Sequence, residues 1–139
     1  MKLISSFFKK LVPSTFKDNL RYDLGFPSQK KSFQNLKALS FTPKTVLDIG
    51  AYEGYWAKDF KSIFTNCRIL MLEGQTSKED ILKKICNDDP EINYKISLLG
   101  ATEKTVNFNI YDSASSVLEE NNQTGAITET RKLISLDKL

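Results

Sequence analysis

Apolar runs and apolar helical stripes alternate along the chain from Thr45 onward, and this alternation predicts its architecture. Strands are predicted at Val46–Ile49, Ile69–Leu72 and Ile92–Leu98. The first has the continuous apolar character of a parallel strand that is buried on both faces. The segments between the strands have the periodicity of amphipathic helices. The pattern therefore predicts a β-α-β-α-β unit with right-handed crossovers and the strand order 3-2-1.

The two crossover helices each carry an apolar side that should face the sheet. The first helix follows Gly54, and the second begins at Ser77 and ends in the polar stretch 87–90. The predicted inward-facing residues are Trp56, Phe60, Ile63 and Phe64 in the first helix, and Ile81, Leu82 and Ile85 in the second.

The pattern changes after Gly100. Residues 105–111 alternate between apolar and polar with a period of two, which is typical of an antiparallel or edge strand. A polar loop through 121–125 leads to a second strand-like segment near 130–134, and 136–139 has the pattern of a helix start. These segments therefore predict antiparallel or edge strands in addition to the parallel strands.

Residues 1–43 are predicted to form a helical prelude, followed by an α/β domain over 44–139. Apolar residues within 3–12 fall on one helical stripe, and Ser14 and Ser28 can cap two further helices. The last of these helices carries Phe33, Leu36 and Leu39 on one side.

Composition is ordinary for a single globular domain of 139 residues, with 27% charged residues. No apolar run approaches a membrane span, and residues 1–8 are too short an apolar start for a signal peptide, so we expect a cytoplasmic protein. The chain has no His, and Cys67 and Cys86 lack metal-ligand spacing. We therefore expect no metal site and two buried free thiols.

The net charge of +3 is unevenly distributed. Residues 1–44 hold nine Lys or Arg against two Asp, and the remainder holds eleven against fifteen Asp or Glu. A solvated basic face is the simplest interpretation, and contact of residues 1–12 with an anionic membrane surface is an alternative. Nucleic acid is not an expected partner, because the basic residues are spread out and match no binding motif.

The turn after the first strand is the strongest candidate for chemistry. Gly50 allows the chain to turn sharply and Gly54 allows the next helix to approach closely, while Asp48 and Glu73 end consecutive strands. A strand, a glycine turn, a helix and an acid about 20 to 25 residues on are typical of a site for an adenosine-containing cofactor. A structural turn, with Asp48 as a helix cap and Glu73 on the surface, is the alternative.

Charge favours S-adenosylmethionine over NAD as that cofactor. Asp48 occupies the position of the first glycine of a dinucleotide site, where a carboxylate would repel a pyrophosphate but could hold an amino group. Glu73 can accept both ribose hydroxyls. The predicted cofactor-binding residues are Asp48, Gly50, Ala51, Tyr52, Gly54 and Glu73. An NAD-binding oxidoreductase is the alternative enzyme.

Residues 46–54 and 72–74 resemble motifs one and two of class I S-adenosylmethionine-dependent methyltransferases, and the later sequence is similar to the FkbM family. That family has a small-residue strand end, a hairpin insertion, a Ser-Ser segment and a Thr/Ser-Leu-Asp-x-Leu stretch. The matching segments are 96–100, 105–111, 113–117 and 134–139. The resemblance covers about 44–139. It implies a Rossmann-like, three-layer αβα fold and methyl transfer to an oxygen of a sugar, glycan or small natural product.

Members of that family continue past this point into four more strands, with the sheet order 3-2-1-4-5-7-6. The resemblance therefore implies the N-terminal half of the sheet plus a β-hairpin insertion, in a truncated chain whose own activity it leaves open. The first strand would then be an exposed apolar edge, which favours aggregation.

No catalytic residue can be assigned. Asp112, Glu119 and Glu120 have no neighbour in sequence that singles them out as a base. We hypothesise that Ser115 and Ser116 lie near the transferred methyl group, with a polar loop or helix cap as an equally good interpretation.

A non-catalytic interaction module that docks through its basic amphipathic N-terminus is the alternative from another functional class.

Overall fold

A computed structural model describes residues 24–25, 28–111, 115–118 and 127–139. The chain divides into two compact units, Met1–Phe41 and Thr42–Leu139. The predicted helices before Ser28, the loop at 121–125 and the acids Asp112, Glu119 and Glu120 lie outside the described residues. The predicted division into a prelude, 1–43, and a methyltransferase domain, 44–139, stays a prediction.

In the first unit, helix α1 spans Gln29–Ala38. Ser28 is its N-cap as predicted, and the Ser28 hydroxyl accepts a hydrogen bond from the Lys31 N–H at 3.4 Å. Of the three apolar residues predicted to share one side, only Phe33 is buried; Leu36 and Leu39 are 40% and 80% exposed. Leu39 already lies at the C-cap, beyond the helical turns.

The second unit contains a parallel sheet of three strands, β1 (Thr45–Ile49), β2 (Arg68–Glu73) and β3 (Ile92–Ile96), in the order β1-β2-β3. Val46 lies opposite Ile69 and Ile69 lies opposite Ile92. The sheet order and the parallel pairing confirm the predicted α/β arrangement.

Helices α2 (Tyr55–Ile63) and α3 (Glu79–Asp88) connect these strands. A 3-10 turn at Thr76–Lys78 precedes α3, so the α-helix begins later than the predicted Ser77. The predicted inward-facing residues that are buried are Phe60, Ile63, Phe64, Leu82 and Ile85. Trp56 is half-buried and stacks on Phe60 with ring centroids 4.8 Å apart. The prediction for Ile81 was wrong: its side chain is 37% exposed, because it is rotated by about 100° from Leu82 on the helix.

The prediction that strand β1 is buried on both faces was wrong. Leu47 and Ile49 are 43% and 58% exposed, whereas Asp48 between them is buried. Asp48 lies opposite Met71, whose sulfur approaches the start of α2, so Asp48 is on the face that the helices cover. Among the described strands, β1 pairs with β2 alone, so it is also an edge strand of this sheet.

A second sheet contains β4 (Leu98–Leu99), β5 (Lys104–Ile110) and β6 (Ile127–Ile134) in the order β4-β6-β5. Strands β5 and β6 are antiparallel, as expected of a hairpin insertion, and β6 begins before the predicted 130–134 segment. The third predicted strand, 92–98, was too long: it ends at Ile96, and Leu98–Leu99 pair in parallel with β6 instead.

The two sheets meet where Gly74 follows β2. A Cβ atom on Gly74 would lie 3.0 Å from the Leu98 side chain and 3.1 Å from the Phe108 ring, so these side chains pack directly on the glycine backbone. The second sheet is thereby placed beside the carboxyl ends of the parallel strands.

Cys67 is buried and Cys86 is half-buried, and both are free thiols. The expectation of two buried free thiols is therefore confirmed for Cys67, whereas the burial predicted for Cys86 is wrong. Burial raises the pKa of both thiols. No helix in the described parts of the chain has the length and apolar character needed to cross a bilayer.

Candidate cofactor site

The loop between β1 and α2, residues 50–54, is held in an unusual backbone conformation. Gly50, Tyr52 and Gly54 all have positive φ, at 80°, 51° and 71°. The N–H groups of Gly50 and Ala51 both donate to the Leu72 carbonyl, at 2.8 and 3.0 Å. Glycine adopts this conformation freely, but for a residue with a side chain the conformation costs about 1–2 kcal/mol of free energy. Tyr52 is therefore the strained member of the loop.

Glu73, the last residue of β2, is bound to this loop. Its Oε2 accepts a hydrogen bond from the Tyr52 N–H at 2.7 Å, and its Oε1 accepts one from the Gln75 N–H at 2.8 Å. The residue is only 5% exposed. A carboxylate offers about four acceptor positions, so Glu73 retains capacity for further donors.

Asp48 is a second buried carboxyl group near Glu73. It is 9% exposed, and its Oδ2 has no hydrogen-bond partner among the described residues. Burial first, and the negative charge of Glu73 second, raise the pKa of Asp48 from 3.8 to about 6. The site therefore contains a carboxylate that a cationic donor would stabilise.

Lys78 joins the turn after β2 to the same loop. Its Nζ lies 3.0 Å from Glu53 Oε1 and 3.8 Å from the centre of the Tyr52 ring. The Tyr52 hydroxyl and then the Glu53 carboxylate raise the pKa of Lys78, against an opposing effect of burial, so this side chain is cationic across the physiological range.

A cavity of about 230 Å³ opens at the carboxyl ends of the parallel strands. This is the edge of an open α/β sheet at which ligands bind. One wall comes from the loop and the end of β2, and the other comes from the second sheet. The lining residues are Ile49, Gly50, Tyr52, Leu72, Glu73, Gly74, Gln75, Ser97, Leu98, Leu99, Phe108 and Ser115.

The structure brings some of the predicted site residues to this cavity and not others. Gly50, Tyr52 and Glu73 line it, whereas Asp48 and Ala51 are buried outside its lining. Gly54 serves packing: a Cβ atom there would lie 2.5 Å from Ile85 and 3.1 Å from the Met71 sulfur. The cofactor contacts of all six residues stay predictions.

Ser115, one of the two serines singled out in the sequence, is in the cavity wall. Its hydroxyl donates to the Tyr111 carbonyl at 2.6 Å and accepts from the Tyr111 N–H at 3.0 Å. Ser116 instead exchanges backbone hydrogen bonds with Asn109. The Ser115 hydroxyl is therefore already engaged with the Tyr111 backbone at the edge of the cavity.

Sequence reasoning missed several lining residues. Gln75 lies two residues after the end of β2 and Ser97 lies one residue after the end of β3, so their position after a parallel strand was a usable signal. The lining residue Phe108 had no such signal, and neither had Lys78, which lies outside the lining, because their places depend on packing between distant segments. In the described part of the chain, no group of three His, Cys, Asp or Glu residues could hold a metal ion.

No protein-family profile matches this sequence, and no curated protein matches it. Among solved structures, a Staphylococcus aureus protein provisionally assigned as a caffeoyl-CoA O-methyltransferase aligns with a TM-score of 0.41 and 14% identity, over 68% of this chain and 48% of that one. WbdD aligns with a TM-score of 0.38 and 20% identity, over 57% of this chain and 17% of its own. The aligned region thus spans about half the length of the first protein and about a sixth of the second. Membership of the FkbM family stays a prediction.

Proposed function

We propose that the unit Thr42–Leu139 binds S-adenosylmethionine and belongs to a methyltransferase that modifies an oxygen of a sugar or another small natural product. The observation that supports this most is the cavity at the carboxyl ends of β1–β3, where Glu73 and the strained 50–54 loop share one wall. Nucleotide-like ligands bind at this edge of α/β sheets. The choice of acceptor rests on the sequence resemblance alone.

Glu73 would hold the ribose. Each of its carboxylate oxygens already accepts one backbone N–H, from Tyr52 and from Gln75, which orients the group without filling its acceptor positions. The remaining positions can accept the two ribose hydroxyls. The volume of about 230 Å³ lies below the range of about 300–1,000 Å³ for whole drug-sized ligands, so we assign this cavity to the adenosine part. Phe108 and Leu98 provide an apolar wall for the base.

Asp48 provides the charge that distinguishes between cofactors. Asp48 is buried outside the cavity lining, and its Oδ2 has no hydrogen-bond donor among the described residues. An ammonium group that reached this oxygen would provide a donor, whereas a pyrophosphate would add a further negative charge near two carboxyl groups. An amino-acid-bearing cofactor without phosphate therefore fits these two acidic acceptors better than a dinucleotide does.

When bound, the cofactor supplies an electrophilic methyl group. The residues of this chain would bind and orient it, and positioning is a major part of the acceleration in such an in-line displacement. Ser115 is a poor candidate for a base, because its hydroxyl already donates to the Tyr111 carbonyl. The group that accepts the proton of the acceptor oxygen is unassigned.

Isothermal titration with S-adenosylhomocysteine and with NAD tests the proposal. We expect the first to bind, and we expect Glu73→Gln to weaken it by about tenfold or more, because a charged acceptor is lost. Glu91→Gln, at an exposed glutamate next to the opposite end of β3, is the matched control. Tight NAD binding without a response to S-adenosylhomocysteine would favour the oxidoreductase and overturn the proposal.

A further inference from the structure

Lys78 lies outside the lining of the cavity, yet it contacts two consecutive residues of the 50–54 loop. Its Nζ is 3.0 Å from Glu53 Oε1 and 3.8 Å from the centre of the Tyr52 ring. The Lys78 and Glu53 side chains are 13% and 25% exposed, so water screens this ion pair less than it screens a surface pair. The Tyr52 ring attracts the same ammonium through its negative face.

The Lys78 backbone is itself fixed relative to Glu73. It belongs to the 3-10 turn Thr76–Lys78, and its N–H donates to the Gln75 carbonyl at 3.2 Å. Gln75 in turn donates its N–H to Glu73 Oε1 at 2.8 Å. Lys78 therefore connects the loop to the segment that orients one oxygen of the Glu73 carboxylate.

Tyr52 is the loop residue that needs such an anchor. Its φ of 51° is unfavourable for a bulky side chain, and in this conformation its N–H donates to Glu73 Oε2 at 2.7 Å. A return of φ to negative values would rotate the preceding peptide plane and remove that N–H from Glu73. The positive φ of Tyr52 and the hydrogen bond from its N–H to Glu73 Oε2 therefore depend on each other.

We propose that Lys78 is a positioning residue of the cofactor site. By holding the Tyr52 ring and the Glu53 carboxylate, it keeps the Tyr52 N–H on Glu73 and so fixes the direction in which the Glu73 carboxylate faces the cavity. The effect on ligand binding rests on the proposed function, but the effect on the loop does not.

Hydrogen–deuterium exchange on the full chain without ligand tests the effect on the loop. Lys78→Met keeps most of the aliphatic stem and removes the charge, so we expect the Tyr52 amide to exchange about tenfold faster. Lys78→Arg should restore the slow exchange, because a guanidinium also stacks on rings and pairs with carboxylates. Lys83→Met, at an exposed lysine of α3, is the control.

The amides of Leu70 and Leu72 in β2 separate positioning from general stability. They should exchange at the wild-type rate in Lys78→Met. An unchanged Tyr52 amide, or an equal increase at Tyr52, Leu70 and Leu72, would overturn the proposal.

Titration with S-adenosylhomocysteine tests the effect on the site. We expect Lys78→Met to weaken binding by about tenfold and Lys78→Arg to stay within about threefold of wild type. In a Tyr52→Gly background, where glycine adopts positive φ without strain and the ring is absent, Lys78→Met should change affinity by less than about twofold.

The outcomes of the two experiments are distinguishable. A tenfold loss in both backgrounds would show that Lys78 acts other than through Tyr52, and would overturn the proposal. No binding of S-adenosylhomocysteine to the wild type would instead refute the proposed function, and the exchange rates would still decide the role of Lys78.

Discussion

Asp48 is a residue whose burial is unfavourable for folding but would suit the proposed ligand. Its pKa of about 6, against 3.8, means that the folded protein holds a proton that the unfolded chain has released over the range between these values. The free energy of unfolding therefore falls as pH rises from about 4 to about 6 and stays lowered above it, by at most about 3 kcal/mol. A bound ammonium group would stabilise the charged form of Asp48 and so oppose this loss of stability above about pH 6.

We therefore predict that Asp48→Asn raises the free energy of unfolding at pH 7.5 by about 1–3 kcal/mol, since an amide carries no charge to bury. The same change should weaken binding of S-adenosylhomocysteine. Urea unfolding at pH 4 and pH 7.5 measures the first effect, and titration calorimetry the second. Asp59→Asn, at an exposed residue of α2, is the control. A pH dependence of stability equal to that of wild type would contradict the assignment.

At the scale of elements, the placement of α2 depends on the loop that precedes it. The helix has no side-chain cap, since its N-cap is Gly54 in the left-handed conformation. Gly54 also brings the start of α2 against Ile85 and Leu82 of α3. The loop thus sets both the entry to the helix and its distance from its neighbour.

Gly50 and Gly54 have different roles in this loop: Gly50 only permits a positive φ, whereas Gly54 also permits close packing on α3. We predict that Gly50→Ala, where positive φ meets open space, lowers the free energy of unfolding by about 1–2 kcal/mol from backbone strain. Gly54→Ala should lower it by about 2–5 kcal/mol, because overpacking against Ile85 adds to the same strain. Urea denaturation measures both. Equal losses would show that the contact with Ile85 relaxes without cost.

Local patterns predicted the elements that are defined by their own periodicity. The three parallel strands, the two crossover helices and the alternating β5 all follow from residue order within each segment. The end of β3 did not follow in this way, because the alternation of apolar and polar residues continues through Ser97 to Leu98 while the pairing partner changes from β2 to β6. Only the partner strand decides that boundary.

The candidate site divides in the same way. Gly50, Tyr52 and Glu73 were predictable, because a glycine turn and an acid at consecutive strand ends meet at one edge of a parallel sheet. Lys78 and Phe108 were not, because their contacts with the loop and with Gly74 depend on how distant segments pack.

For the unit Thr42–Leu139 as a whole, the main vulnerability is the edge at β1. Among the described strands it pairs on one side only, and Leu47 and Ile49 are largely exposed on one face. Unpaired backbone next to exposed apolar side chains favours association between molecules.

We therefore predict that Leu47→Lys reduces concentration-dependent self-association, since a charge on an edge strand opposes pairing. Thr45→Lys adds the same charge to the same face of β1 without removing apolar surface, and serves as the matched control. Light scattering over a range of protein concentrations measures the effect. The same concentration dependence in Leu47→Lys and Thr45→Lys would show that the Leu47 side chain does not drive association.

The bare backbone at Gly74 has a consequence for which ligands the cavity can accept. A Cβ atom at position 74 would lie 3.0 Å from the Leu98 side chain and 3.1 Å from the Phe108 ring, so a methyl group fits there only if these side chains move by a few tenths of an ångström. Leu98 and Phe108 also line the cavity, so their positions in its wall depend on the absence of a side chain at position 74. Residues of increasing size at position 74 would displace Phe108 stepwise, and ligand selectivity could be tuned there without changing any charged group.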